Sequence, residues 1–141
     1  MRDLSIDPYV GTGDLRLGMR RDVIRKVVGE VFDVFRRGPE DATDSDAFDG
    51  AGIYVYYDSN DECEAIEFAE PAKPTLFGEQ LIGRPLSQVL AYLKKHDASV
   101  LIDDSGATAY TIGLGVYAPA AAKRSDCPVE SVIAFRRNYY D

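Results

Sequence analysis

Hydrophobic positions along this chain follow two periods, and the switches between them mark out the elements. From Arg20 to Val28 the apolar residues Val23, Ile24, Val27 and Val28 recur at helical spacing, while Arg20, Arg21, Arg25 and Lys26 take the opposite side. Asp22 in the first turn and Lys26 in the last suit the helix dipole. Gly29 is a natural residue just past the end. A second helix is predicted from about Pro85 to Lys95. Leu86, Val89, Leu90 and Leu93 fall there at i, i+3, i+4 and i+7, and Pro85 fits a first turn.

Between the helices the period shortens to two. Leu15 and Leu17 share one side of a short strand from Asp14 to Leu17, and 31–37 is β-branched and aromatic enough for another. Ile53–Tyr57 and Glu64–Phe68, joined by the turn formers of 58–62, read as a hairpin. Pro71 and Pro74 mark a connector. Ser99–Ile102 is a further strand, Asp103–Gly106 a turn, and Ala107–Tyr117 one strand or two. Ala118–Pro128 is a loop, and Val129–Arg137 is a last strand in the sheet interior. Glu40–Asp49 is expected to be an exposed, mobile acidic loop.

Both halves thus run through a leading strand, a helix and about three antiparallel strands. Gly18 matches Gly83, Ile24 matches Val89 and Val28 matches Leu93. The expected fold class is α+β: two tandem helix-on-antiparallel-sheet units, residues 1–70 and 71–141, forming one body with one sheet face partly open.

The phrase Leu15-Arg16-Leu17-Gly18-Met19, followed by Val23-Ile24 and Val27-Val28-Gly29, resembles the strand, Gly-Met, helix, Gly opening of a known module. It is shared by the tandem repeats of the β-lactamase-inhibitor protein fold and by small outer-membrane assembly lipoproteins. The hairpin Ile53–Phe68 fits after it, and a second repeat would span about Leu81 to Arg137. Small cytosolic proteins with this opening also resemble immunity proteins encoded beside bacterial toxins, which implies protein binding rather than catalysis. Inhibitors of that fold are secreted and cross-linked within each repeat. This chain has only Cys63 and Cys127, one in each half, and no apolar leader at its N-terminus. Neither the β-lactamase target nor lipoprotein membrane attachment therefore carries over.

Charge narrows the partner class. The 141 residues carry a net charge of −8, which disfavours a nucleic-acid binder and would steer the chain toward a basic partner. No apolar run approaches the roughly 20 residues of a membrane span. A cytoplasmic location with two free thiols is expected.

Candidate catalytic chemistry is sparse. Gly11-Thr12-Gly13 lies before its strand and lacks the Lys-Ser/Thr pair of a phosphate cradle, so it reads as a turn. His96, the one histidine, falls at a helix C-terminus beside Lys95 and Asp97, where it reads as a solvated cap. Neither cysteine has a histidine nearby in sequence to make it a nucleophile. Asp41, Asp44, Asp46, Asp49 and Gly50 superficially match a calcium loop, but from Asp44 the fifth position is Phe48 and the glycine position is Asp49. That run is either a solvated loop or an electrostatic contact for a basic partner.

The nine tyrosines carry more information. If Ile53, Val55 and Tyr57 point inward, Tyr54 and Tyr56 line the open sheet face, with Tyr110, Tyr117, Tyr139 and Tyr140 as possible additions. Tyrosine there serves an interface, or is an ordinary half-buried sheet residue. The expectation is a non-enzymatic protein-binding module without cofactor or metal. It would be a cytosolic bacterial inhibitor or immunity protein neutralising a cognate toxin, a basic one suiting the acidic charge, through Tyr54, Tyr56, Tyr117, Asp41, Asp44, Asp46 and Asp49. The alternative is a small-molecule-binding or accessory domain.

Overall fold

Alternation becomes short strands, and the 3.6-residue period becomes two helices, in a computed structural model that describes residues 2–36, 38, 43–124 and 126–140. In chain order the elements are β1 (Ser5–Asp7), β2 (Gly11–Thr12), β3 (Leu15–Arg16), α1 (Arg21–Val28), β4 (Asp33–Phe35), β5 (Ser45–Phe48), β6 (Ile53–Tyr57) and β7 (Cys63–Ala69). They continue as β8 (Thr75–Leu76), β9 (Glu79–Gln80), α2 (Leu86–His96), β10 (Leu101–Asp103), β11 (Gly106–Ala109), β12 (Leu114–Tyr117) and β13 (Ser131–Phe135). A 3-10 turn, Pro119–Ala122, lies between β12 and β13. The protein is α+β, with two helices and two sheets among the described residues, and most of these elements are strands.

An eight-stranded sheet runs β10-β11-β12-β13-β7-β6-β5-β4, antiparallel throughout. Two four-stranded meanders therefore meet at β13 and β7. The smaller sheet runs β3-β2-β1-β8-β9, and its parallel pair β1–β8 sets Ser5 opposite Thr75 and Ile6 opposite Leu76.

Register fixes which side chains share a face. Ile53, Phe68, Val132, Val116 and Ala107 lie in one row across the large sheet. Ile53 and Phe68 pack with Ile24 and Val28 of α1, and Val132, Val116 and Ala107 with Leu86, Val89 and Leu93 of α2. Both helices therefore cover the same face, with Ile82 packed against both clusters. Each fully buried aliphatic there contributes about 1.5–3 kcal/mol.

The helices are held at their ends by the sheet. No side chain caps the start of α1; instead the Arg21 N–H donates to the Asp61 carbonyl at 3.0 Å and Arg20 bridges Glu62. Upstream, the Gly18 N–H donates to Cys63 O and the Cys63 N–H to Met19 O. At α2 the Leu86 N–H donates to Cys127 O, Pro85 bridges Pro128, the Gly83 N–H donates to Val129 O, and the Val129 N–H to Arg84 O. Gly29 ends α1 in the left-handed region at φ 65°, its N–H returning to Arg25 O. Arg2 adds a cation at this end, donating to Val28 O at 2.7 Å.

Several local expectations change. Of the four apolar residues of α1 only Ile24 and Val28 are fully buried; Val23 is exposed. Pro85 is the residue before α2 and not part of its first turn. Residues 45–48 are not loop: they form β5, with all four residues buried. Pairing with β4 and β6 imposes that conformation on a segment whose composition favours turns. No helix among the described residues is long and apolar enough to cross a membrane.

Candidate functional site: the open sheet face

The face away from the helices is the candidate site. Its central row reads Asp33, Ala47, Tyr54, Glu67, Ile133, Gly115, Thr108 and Leu101, from β4 to β10. Of the sequence-predicted residues, Tyr54, Tyr56 and Tyr117 project from this side. Tyr54 and Tyr56 oppose Ile53, Val55 and Tyr57, which lie in the α1 cluster as expected.

The three tyrosines differ in access. Tyr117 is 48% exposed, Tyr54 is half-buried and Tyr56 only 5% exposed. Tyr56 packs with Ala65, Phe35 and Phe135, and its hydroxyl donates to Glu67 Oε1. It is thus mostly a structural residue of the face. The Tyr54 phenol is pushed above its ordinary value by burial, then by its hydrogen bond to Asp49.

At one end an aromatic cluster covers the face. Phe135 stacks on Tyr139 at 5.7 Å and meets Tyr140, Tyr9 and Tyr110 edge-on at 5.0, 6.0 and 6.2 Å. The Tyr9 hydroxyl donates to Tyr110 O, and the Arg137 guanidinium sits 4.2 Å over the Tyr9 ring. Tyr140 and Tyr110 remain 55% and 41% exposed.

Two hollows lie on either side of Glu67. The larger, about 440 Å³, is bounded by Phe35, Ala47, Asp49, Tyr54, Tyr56 and Ala69. The smaller, about 130 Å³, lies toward Thr108, Gly115, Tyr117, Ser131 and Tyr140. Their floors are low because alanine, serine and glycine occupy the pleats beside Glu67. Glu67 was not singled out from sequence. Its alternation with Ala65 and Ala69, against Ile66 and Phe68, is the signal that places it on this face.

The predicted acidic residues do not form one surface. Asp41 lies outside the described residues. Asp49 is exposed at the β5–β6 turn, beside Tyr54. Asp44 accepts from Arg36 at 2.8 Å, both side chains about half exposed, a pair of little energetic weight. Asp46 is fully buried on the helix side of β5 and touches no solvent. Its Oδ1 and Oδ2 accept from Arg25 at 2.8 and 2.9 Å, and Oδ2 also accepts from the Tyr57 hydroxyl at 2.9 Å. Arg21 lies 3.4 Å away and stacks 4.0 Å over the Tyr57 ring. Asp46 is therefore corrected from a partner contact to an anchor between α1 and β5. The bidentate fork and the phenol satisfy a carboxylate that would otherwise be costly to bury. Burial, then the Asp46 charge and hydrogen bond, pushes the Tyr57 phenol far up.

Other groups offer little chemistry. Cys63 and Cys127 are free and buried, and burial pushes the Cys63 thiol up to about 12. His96 ends α2, exposed and packed against Phe77 and Tyr92 at 4.6 and 5.0 Å. Among the described residues no three His, Cys, Asp or Glu side chains converge to hold a metal ion. A separate cleft of about 690 Å³, between Arg2–Ser5 and Pro71–Thr75, carries both charges and apolar wall from Leu4, Ile53 and Ala72. Comparison of the chain with protein-family models, curated proteins and solved structures gives no match.

Proposed function

We propose that this chain is a non-enzymatic binding module that docks a partner protein on the open face of its eight-stranded sheet. The observation that carries the reading is this face: eight strands wide, without helix cover, and bearing Tyr54, Tyr117 and Tyr140 between small residues. Rigid amphipathic rings over low pleats are what a protein interface uses. The finer reading is a cytosolic bacterial inhibitor or immunity protein that neutralises a cognate toxin. The acidic balance and the free cysteines in different halves are consistent with it.

The tandem-repeat reading is part of the same proposal, and the helix starts support it residue by residue. Gly18, Met19, Arg20 and Arg21 make the same backbone contacts to Cys63, Glu62 and Asp61 that Gly83, Arg84, Pro85 and Leu86 make to Val129, Pro128 and Cys127. Gly18 and Gly83 have φ of 93° and 88°, and Ile24 and Val89 are both fully buried. That correspondence favours the resemblance to the β-lactamase-inhibitor protein fold on geometry as well as on the short Gly-Met phrase.

The test is capture from native lysate with the tagged chain, compared with a Tyr54→Ser/Tyr117→Ser variant. One stoichiometric protein retained by the parent and lost by the folded variant is expected. Equal retention by both discards the face. The 690 Å³ cleft supports the second reading, a small-molecule domain, because its size suits a ligand. Saturable thermal stabilisation by a metabolite, abolished by Ala72→Trp in the cleft wall, would move the assignment there.

A further inference from the structure

The two halves of the open face are not chemically alike, and the difference names a guest. Across the central pair of strands Glu67 of β7 faces Ile133 of β13. Moving outward, Tyr54 of the first half answers to Gly115 of the second, Ala47 to Thr108, and Asp33 to Leu101. The first half thus presents carboxylates and an aromatic ring where the second presents apolar or small side chains. None of the eight strands carries a Lys, Arg or His; Asp33 and Glu67 project from the open side in the first half, and the second half adds one carboxylate, Asp103, at its outer edge.

The 440 Å³ trough concentrates this asymmetry. Phe35, Tyr54 and Tyr56 supply three aromatic walls, Ala47 and Ala69 a low floor, and Asp49 and Glu67 two carboxylates. Glu67 is already positioned by the Tyr56 phenol, and the Asp49 carboxylate lies beside the Tyr54 ring in the same trough. A carboxylate has about four lone-pair sites, so acceptor capacity remains on each. Among the described residues no cation pairs with Glu67. Aromatic faces attract a cation as well as offering apolar contact, and preorganised acceptors lower the ordering cost of binding one.

We propose that this trough receives an arginine or lysine side chain projecting from the partner protein, with its charged head on Glu67 and Asp49 and its stem along Tyr54. This rests on the protein-binding reading and adds the partner's chemistry to it: a basic surface whose central side chain enters the first half of the sheet.

The test is a titration of the 15N-labelled full chain with acetyl-Gly-Arg-Gly-amide and its lysine analogue, using the neutral citrulline peptide as control. The cationic peptides should shift the amides of Tyr54, Glu67 and Ala69 saturably, with a dissociation constant on the order of 1–10 mM. Glu67→Gln, which keeps the shape and an acceptor for Tyr56, should weaken binding about tenfold, with Asp49→Asn as the second variant. Equal binding of citrulline, shifts confined to other acidic regions, or unchanged constants in both variants would overturn it. With a captured partner the two readings separate. Loss of affinity in Tyr54→Ser/Tyr117→Ser but not in Glu67→Gln discards the cation and keeps the face. Loss in neither discards both.

Discussion

Single residues show best where spacing alone stops being informative. Asp46 belongs by composition with Asp44 and Asp49 to a solvated run, yet it is buried because two arginines one helical turn apart reach over it. Arg21 and Arg25 looked like the wet side of α1; pairing with one carboxylate across the sheet makes them part of its foundation. Only the contact, set by tertiary packing, distinguishes these readings. Carboxylates also decide the acid response. Desolvation alone would raise Asp97 and Asp58, but hydrogen bonds outweigh it and hold both below the ordinary carboxylate range. Asp97 accepts from the Ser99 N–H and hydroxyl and the Thr111 N–H at 2.9, 2.7 and 2.9 Å. Asp58 accepts from Asn60, Glu62 and Arg136. A folded-state value depressed below the unfolded value of about 3.9 gives stability that is present above that pH and lost as pH falls through the folded value. Urea midpoints should therefore hold from pH 7 to about 5 and fall below about 4, less steeply in Asp97→Asn. An equally steep acid limb in that variant would clear Asp97 of the effect.

Elements were legible in proportion to how much of their stability is local. The two helices and the β6–β7 hairpin follow from periodicity sustained over several residues and from turn chemistry. Alternation also marks β3 within 14–17, but the two-residue strands β2, β8 and β9 are not marked, because they exist through partners, and β8 finds one of its partners in β1, far off in sequence. Gly11–Thr12, read as a turn, is β2 for the same reason. Turn glycines then separate by what surrounds them. A Cβ on Gly29, at φ 65°, would meet only the Lys26 carbonyl at an ordinary 3.6 Å, so Gly29→Ala should cost about 1–2 kcal/mol of backbone strain. On Gly52, at φ 70°, it would lie 2.1 Å from Ala69 O and 2.8 Å from Ala72 N. Gly52→Ala should therefore cost more than about 4 kcal/mol, in the range reserved for severe steric conflict. Urea unfolding of the two variants measures the gap; similar losses would contradict the packing argument at the β5–β6 turn.

At the scale of the molecule, both helices lie on one face of a single eight-stranded sheet, and the aromatic and acidic groups gather on the other. The tyrosine side of β6 could be read from alternation. The trough could not, since it requires the register that sets Tyr54 beside Glu67 and Phe35 on the neighbouring meander edge. That same register has a consequence in time. Strands are synthesised in sequence order, but β13, the last of the eight, is the one that joins the meanders. While the ribosome is still making the second half, the outer edge of β7 stands unpaired, its Ile66 and Phe68 next to a missing neighbour. A chain halted after Glu130 should accumulate as aggregate, visible by sedimentation, whereas a soluble monomer of that length would show that the first meander shields its own edge. The nascent protein thus passes through a vulnerable interval that ends only when its closing strand leaves the exit tunnel.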